Sequence, residues 1–213
     1  MSREVCYRCR RPANLCQCPD GEPMETRTRI VLLMHPKEYR RQRTGTGRLT
    51  CLHLKNSEII SGIRFDDHPR VRALIEDPGY YPVLLYPGRE ALNLSERRFP
   101  AEETGGRPLV VFLVDSTWSC SRIVLRESPG LLQLPRVMFT PRNASRFVIK
   151  RQPRPECLST LEAVHELLLA LESAGLDSYP DKTRLLDAFD RMQKVQIECA
   201  ERRRNPRRRG TDS

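Results

Sequence analysis

The chain has 213 residues, enough to bury one sizeable core, and it carries no run of about 18 uncharged apolar residues that could cross a membrane as a helix. Thirty-seven Lys and Arg face 27 Asp and Glu, a net charge of +10. That balance favours a polyanionic partner, because each neutralised phosphate releases condensed counterions. The opening, MSREVCYRCRRP, is charged where a signal peptide needs an apolar run, so a cytoplasmic protein is expected.

Residues 1–26 form a Cys/Arg/Pro segment without a periodic apolar face, closed by the loop-like Pro-Asp-Gly-Glu-Pro at 19–23. Cys6-x-x-Cys9 and Cys16-x-Cys18 place four thiols within 13 residues. Two close pairs joined by a short loop can wrap a tetrahedral Zn2+. Disulfides are the competing reading, but adjacent pairs in a charged segment favour metal. With so few apolar residues, the segment needs metal binding, worth roughly 10–16 kcal/mol in comparable knuckles, to hold it together. No open coordination position is evident, so the zinc is expected to be structural, with Arg8, Arg10 and Arg11 displayed to touch phosphate. Cys51, Cys120, Cys157 and Cys199 are scattered and read as reduced thiols.

Strands and helices then alternate. The run 29–34 is apolar and stops at His35-Pro36, as a buried parallel strand would. Residues 47–54 read as a helix. A short helix follows at 71–75, introduced by His68-Pro69. Residues 83–86 are a strand closed by Pro87-Gly88, and 109–114 are the strongest strand in the chain. A helix is expected directly after it, N-capped by Ser116 or Thr117 and running to about Glu127. Runs 131–134 and 147–149 are further strand candidates. Ser159-Thr160-Leu161-Glu162 is a capping box, and Leu161, Val164, Leu168 and Leu171 recur at helical spacing until Gly175. A last helix carries Leu185, Phe189, Met192 and Cys199 on one face. The final 12 residues hold six arginines and read as a disordered basic tail. The alternation indicates an α/β domain with a mostly parallel sheet over 27–200, between a zinc knuckle (1–26) and the tail (201–213).

Ligands of open α/β sheets gather at the carboxyl ends of strands. Asp115-Ser116-Thr117-Trp118 sits at such an end. From periodicity alone a helix cap, with Trp118 packed in the core, is slightly favoured over a catalytic role. The run Arg40-Arg41-Gln42-Arg43 with Thr44-Gly45-Thr46-Gly47 reads as an anion-binding loop ahead of a helix.

Asp-Ser-Thr-Trp resembles the signature of the DTW-domain family, named for Asp-x-Thr-Trp. Other blocks resemble it in the same order: the cysteine pairs, His35-Pro36-Lys37-Glu38, Thr46-Gly47-Arg48-Leu49, Leu134-Pro135-Arg136-Val137, and Leu158-Ser159-Thr160-Leu161-Glu162-Ala163. Together they span residues 6–163, about three quarters of the chain. Gly45, Ser121 and Phe147 depart from residues common in relatives. The resemblance implies a SPOUT-like α/β domain whose mostly parallel sheet carries a trefoil knot. It also implies transfer of the 3-amino-3-carboxypropyl group of S-adenosyl-L-methionine to ring nitrogen 3 of a uridine in tRNA. The alternative is a SPOUT-like RNA methyltransferase using the same cofactor. On this reading Asp115, Thr117 and Trp118 are catalytic. Asp115 serves as base or as ligand of the cofactor's ammonium, and Trp118 stacks on a base or packs in the core. Leu134, Pro135, Arg136, Leu158, Ser159, Thr160 and Glu162 hold the cofactor, with Leu134 to Arg136 and Leu158 in loops. His35, Glu38, Arg43, Thr46, Arg48 and Arg142 meet RNA, with His35 and Glu38 in an active-site loop. Relatives with this fold are commonly dimers, and the sequence leaves the oligomeric state open.

Overall fold

The computed structural model describes residues 4–9, 11–41, 45–97, 99–150 and 157–204. Six strands form one sheet: β1 (Arg29–Met34), β2 (Ser57–Ser61), β3 (Tyr81–Leu85), β4 (Leu92–Asn93), β5 (Leu109–Asp115) and β6 (Arg136–Met138). Among the described residues seven helices accompany them: α1 (Pro36–Arg41), α2 (Thr46–His53), α3 (Pro69–Ile75), α4 (Ala101–Thr104), α5 (Trp118–Glu127), α6 (Thr160–Ser173) and α7 (Arg184–Arg204). The strand order is β2-β1-β5-β3-β6-β4 and every pairing is parallel. Parallel neighbours need crossover connections, so helices cover both faces and the central strands β1 and β5 are apolar but for Arg29 and Asp115 at their ends.

The period-2 alternation divides the core in two. Ile30 and Leu32 of β1 and Leu109, Val111 and Leu113 of β5 pack with Leu49, Val164, Leu168 and Phe189 from α2, α6 and α7. Val31, Leu33, Val110 and Phe112 face the other way, onto Val71 and Leu74 of α3 and Val124 of α5. Each such side chain is worth about 1.5–3 kcal/mol when taken fully out of water, so the two central strands dominate stability.

The capping box that opens α6 forms as the sequence indicates. Ser159 Oγ accepts from the Glu162 N–H, and the Glu162 carboxylate accepts from the Ser159 N–H. At the other end Gly175 adopts φ 74°, and Leu176 N–H reaches back to Leu171 C=O at 3.0 Å. This glycine-dependent stop pairs the Leu171 and Glu172 carbonyls of the last turn.

Several expectations give way. Residues 131–134 are not a strand. Pro129 starts a 3-10 turn through Gln133 and buries only Leu131 completely, while β6 begins two residues beyond Leu134. Among the described residues, 147–149 have no strand partner either. The Val148 N–H donates to the Gln193 side chain (2.7 Å), and the preceding Arg146 N–H to Glu162 (2.6 Å), so side chains take the place of a ladder. Phe147 packs edge-on against Phe189. His35-Pro36 ends β1 and also begins a helix. His35 Nδ1 accepts from the Lys37 N–H at 3.1 Å, and His68-Pro69 repeats the device ahead of α3. His35 and Glu38 are therefore at a helix start and not in a loop, and Arg136 is the first residue of a strand. Arg202 to Arg204 form the last turn of α7, where cations oppose the negative end of the dipole. The rest of the tail lies outside the described residues. Among the described residues, no helix is long and apolar enough to cross a membrane.

Candidate active site and metal centre

Because all strands are parallel, their carboxyl ends share one edge. There Met34 of β1 stands beside Asp115 of β5. After β1 the chain passes to the face that carries α2, and after β5 to the face that carries α5. Adjacent strands whose connections part in this way open a crevice between them, the usual ligand position in open α/β sheets. Asp115 lies at that crevice.

Its carboxylate is bracketed by two helix starts. Thr160, the first residue of α6, donates its hydroxyl to Asp115 Oδ1 at 2.6 Å. Asp115 Oδ2 packs against Gly47, in the first turn of α2. A Cβ at Gly47 would fall inside the contact shell of Oδ2, 3.0 Å from Asp115 Cγ and 3.1 Å from Leu32 Cδ1. The site thus needs glycine for close approach, not for an unusual backbone. Burial pushes the Asp115 carboxyl above the ordinary carboxylate range; the Thr160 hydrogen bond opposes this, Glu38 reinforces it, and Lys150 and Arg48 oppose it. The first turns of both helices add positive potential that favours the anion. The residue nevertheless keeps partial access to solvent.

The other candidates are placed unevenly around this centre. Glu38 and Arg48 lie within electrostatic reach of Asp115. Arg48 stacks its guanidinium 4.3 Å from the Tyr39 ring centroid and donates to the Tyr39 carbonyl at 2.8 Å. Thr46 opens α2, and its carbonyl accepts from the Thr50 hydroxyl at 2.9 Å. His35 is buried and caps α1. Thr117 is the N-cap residue of α5 without a side-chain cap bond. The buried Ser121 hydroxyl instead fastens this turn, bonding to Ser116 Oγ (3.0 Å) and to the Thr117 carbonyl (3.1 Å). Arg43 and the Trp118 side chain lie outside what is described.

Further from the centre, register sets Arg136 opposite Leu84, which is level with Phe112, three residues below Asp115. The Arg136 guanidinium rises to the loop after β3, where it pairs with Glu90 and lies over Gly88. Leu134 packs on the core and Pro135 is exposed. Leu158 and Ser159 lead into α6. Both Glu162 oxygens are engaged, by the Ser159 and Arg146 N–H groups and the Ser145 hydroxyl. Arg142 is exposed beside Glu166, along α6 from its start.

Cys6, Cys9, Cys16 and Cys18 converge, with all four sulfurs within 4.8 Å of one another. Cys6 and Cys18 are 3.7 Å apart, as are Cys9 and Cys16. A tetrahedral ion with Zn–S bonds of about 2.3 Å has sulfur–sulfur edges of roughly 3.8 Å. A disulfide needs about 2.05 Å, and all four thiols are free. The cluster therefore fits Zn2+, and the four thiols are not joined as disulfides in this structure. The backbone N–H groups of Cys9 and Arg8 bring the Cys6 thiol down to about 6, whereas burial and neighbouring thiols drive Cys18 up to about 12. Arg11 is not displayed to solvent. It is 7% exposed, beside Cys9 and Cys16, and supplies positive charge to the cluster from within. Arg10 lies outside the described residues. The turn is docked on the domain through Gln17 C=O with His53 Nε2 (3.2 Å) and a Met24–Leu54 bridge.

The chain is 32% identical over 177 residues to tRNA-uridine aminocarboxypropyltransferase 2 of Drosophila melanogaster, covering 80% of this chain and 68% of that protein. It is 33% identical over 176 residues to tRNA-uridine aminocarboxypropyltransferase 2 of Mus musculus, covering 80% and 57%. To tRNA-uridine aminocarboxypropyltransferase A of Arabidopsis thaliana it is 27% identical over 202 residues, covering 81% and 74%. It thus spans between 57% and 74% of the length of these relatives. No solved structure matches. Residues 3–197, from the cysteine turn through α7, match the DTW domain, and the chain belongs to the DTW domain family.

Proposed function

We propose that this chain is a tRNA-uridine aminocarboxypropyltransferase that moves the 3-amino-3-carboxypropyl group of S-adenosyl-L-methionine to N3 of a uridine. The observation that carries the reading is the Asp115 carboxylate, held at the sheet's crevice between the first turns of α2 and α6 with its acidity weakened by burial. The relatives named above support the substrate and the group transferred. The reading includes a SPOUT-like knotted domain over 27–200, a structural Zn2+ on Cys6, Cys9, Cys16 and Cys18, a basic tail from 201, and a cytoplasmic location.

The donor's sulfonium activates three attached carbons, so the choice among them is positional. Protonated uridine N3 is a poor nucleophile, and a base in hydrogen-bond reach raises its reactivity. Asp115 accepts that proton. The N3–Cγ bond forms as the Cγ–S bond breaks, and the bonding pair departs with methylthioadenosine. A carboxyl with raised pKa holds the proton more readily than an ordinary aspartate, and Thr160 keeps Oδ1 oriented during transfer. The first turn of α6 is the proposed seat of the donor's carboxylate. Leu134 to Arg136 are the proposed adenosine contacts. His35, Glu38, Arg43, Thr46, Arg48 and Arg142 are the proposed RNA contacts, and Thr117 and Trp118 shape the nucleotide site.

The test uses unmodified tRNA and donor labelled either in the methyl or in the carboxypropyl chain. Label is expected in RNA from the carboxypropyl chain alone, recovered as 3-(3-amino-3-carboxypropyl)uridine. Methyl label in RNA would overturn the reading in favour of a methyltransferase. Asp115→Asn is expected to slow transfer by about 10²–10⁴-fold with tRNA affinity retained.

A further inference from the structure

Between the cysteine turn and the sheet lies a cleft of about 510 Å3, lined by Tyr7, Arg8, Tyr39, Arg40, Arg48 and Ile59 among others. Its size falls in the range of small-ligand sites. Three guanidinium side chains border it, and no carboxylate does so among the described residues. Arg48 is only partly satisfied there. One terminal nitrogen donates to the Tyr39 carbonyl, but Nε is buried with no hydrogen-bond partner among the described residues. A buried, cationic donor left unpaired is costly unless something completes it. Across the cleft Tyr7 is 99% exposed, on a turn held by the four cysteines. A large aromatic ring exposed to water is a stacking platform without its partner.

These observations point to one ligand chemistry. Anionic phosphate suits the guanidinium groups of Arg8, Arg40 and Arg48, which border the cleft. A nucleobase suits the Tyr7 face, whereas the Tyr39 ring already carries the Arg48 guanidinium. S-adenosyl-L-methionine, with a sulfonium and an ammonium against one carboxylate, is a net cation that three guanidiniums repel.

We infer that the cleft binds one nucleotide of the RNA, its phosphate among Arg8, Arg40 and Arg48 and its base stacked on Tyr7, so that the cysteine turn forms part of the RNA site. The inference rests on the tRNA reading above. Arg48 directly follows Gly47, the residue packed on Asp115, so the bound nucleotide flanks the target uridine. The metal then contributes to recognition by holding Tyr7 and Arg8 in place.

The experiment measures binding of an unmodified tRNA transcript to the zinc-loaded full chain across a salt series. Tyr7→Ala is expected to weaken binding by about fivefold or more, and Tyr7→Phe to restore it, since the ring face and not the hydroxyl is used. The double variant Arg8→Ala/Arg40→Ala is expected to lower the slope of log K against log salt by about 1.5. All three side chains are exposed, so folding is preserved. Calorimetry with S-adenosyl-L-methionine alone should give one affinity for every form. Wild-type binding with Tyr7→Ala within about twofold of it, or an unchanged salt slope, overturns the cleft and leaves the proposed activity standing. Donor affinity that shifts in the arginine variant assigns the cleft to the donor and overturns the inference. A wild-type chain that does not bind tRNA overturns both.

Discussion

Gly47→Ala separates the site's geometry from general helix physics. Gly47 lies inside α2, and replacing a helical glycine by alanine ordinarily stabilises by about 0.5–1 kcal/mol. Here the added methyl would sit 3.0 Å from Asp115 Cγ, inside the optimum of about 3.5–4.0 Å between carbon atoms. The carboxylate must therefore withdraw by about 0.5–1 Å, which breaks the 2.6 Å bond from Thr160. Overpacking of this kind costs about 1–3 kcal/mol. At about 2–4 °C per kcal/mol for a domain of this size, the melting temperature should fall by roughly 2–12 °C. Displacement of the base by nearly 1 Å should lower the transfer rate by about 10²-fold. The decisive assay is a double-mutant cycle followed by thermal unfolding. In an Asp115→Ala background the space opens, and Gly47→Ala should become neutral or stabilising, giving a coupling of at least about 1 kcal/mol. Equal destabilisation in both backgrounds would place the clash on Leu32 and refute the reasoning, as would a stabilised single variant.

Thr160→Val removes the hydrogen bond that favours ionised Asp115. The carboxyl pKa then rises further, and because the base must be ionised, the acid limb of the pH profile of kcat/KM should move to higher pH; an unmoved limb would separate Asp115 from the chemistry. Metal analysis should return one zinc per chain, and Cys9→Ser should lose it together with order in the N-terminal turn; zinc-free protein with four reactive thiols and wild-type stability would contradict the assignment. Deleting residues 202–209 should weaken tRNA binding and flatten its salt dependence, since it removes six arginines; a superimposable salt series would make the tail irrelevant.

Much of the architecture was legible because burial is written into composition. The runs 30–34 and 109–114 have no polar interruption, and both became central strands with side chains mostly buried. The α6 capping box and the α7 apolar face were equally direct. The sheet's outer strands were not. The β2 sequence Ser-Glu-Ile-Ile-Ser pairs on one side only and buries just Ile60, while β6 and β4 have three and two residues. Their strand character comes from neighbours and leaves no period to detect. His35-Pro36 was read as the end of a strand, although the same dipeptide at His68-Pro69 was recognised as opening a helix. At the candidate site, the place of Asp115 at a strand end was legible, whereas the Gly47 contact was invisible. It joins residues 68 positions apart, and its only local trace is a glycine inside a short helix where nothing in the backbone demands one. Tyr39 passed unnoticed because its role depends on the Arg48 side chain lying over it.

One element touches both centres. Helix α2 has eight residues, hence a length of about 12 Å, and too few turns to bend appreciably. Its far end carries His53 and Leu54, which dock the cysteine turn, and its near end abuts the carboxylate. Oxidation of the thiols, or loss of the zinc proposed to join them, would loosen one end of a stiff strut whose opposite tip abuts Asp115, the proposed proton acceptor. On the proposed function, damage to the cysteine turn would be felt as lost turnover at an intact set of reacting groups, before any unfolding of the sheet.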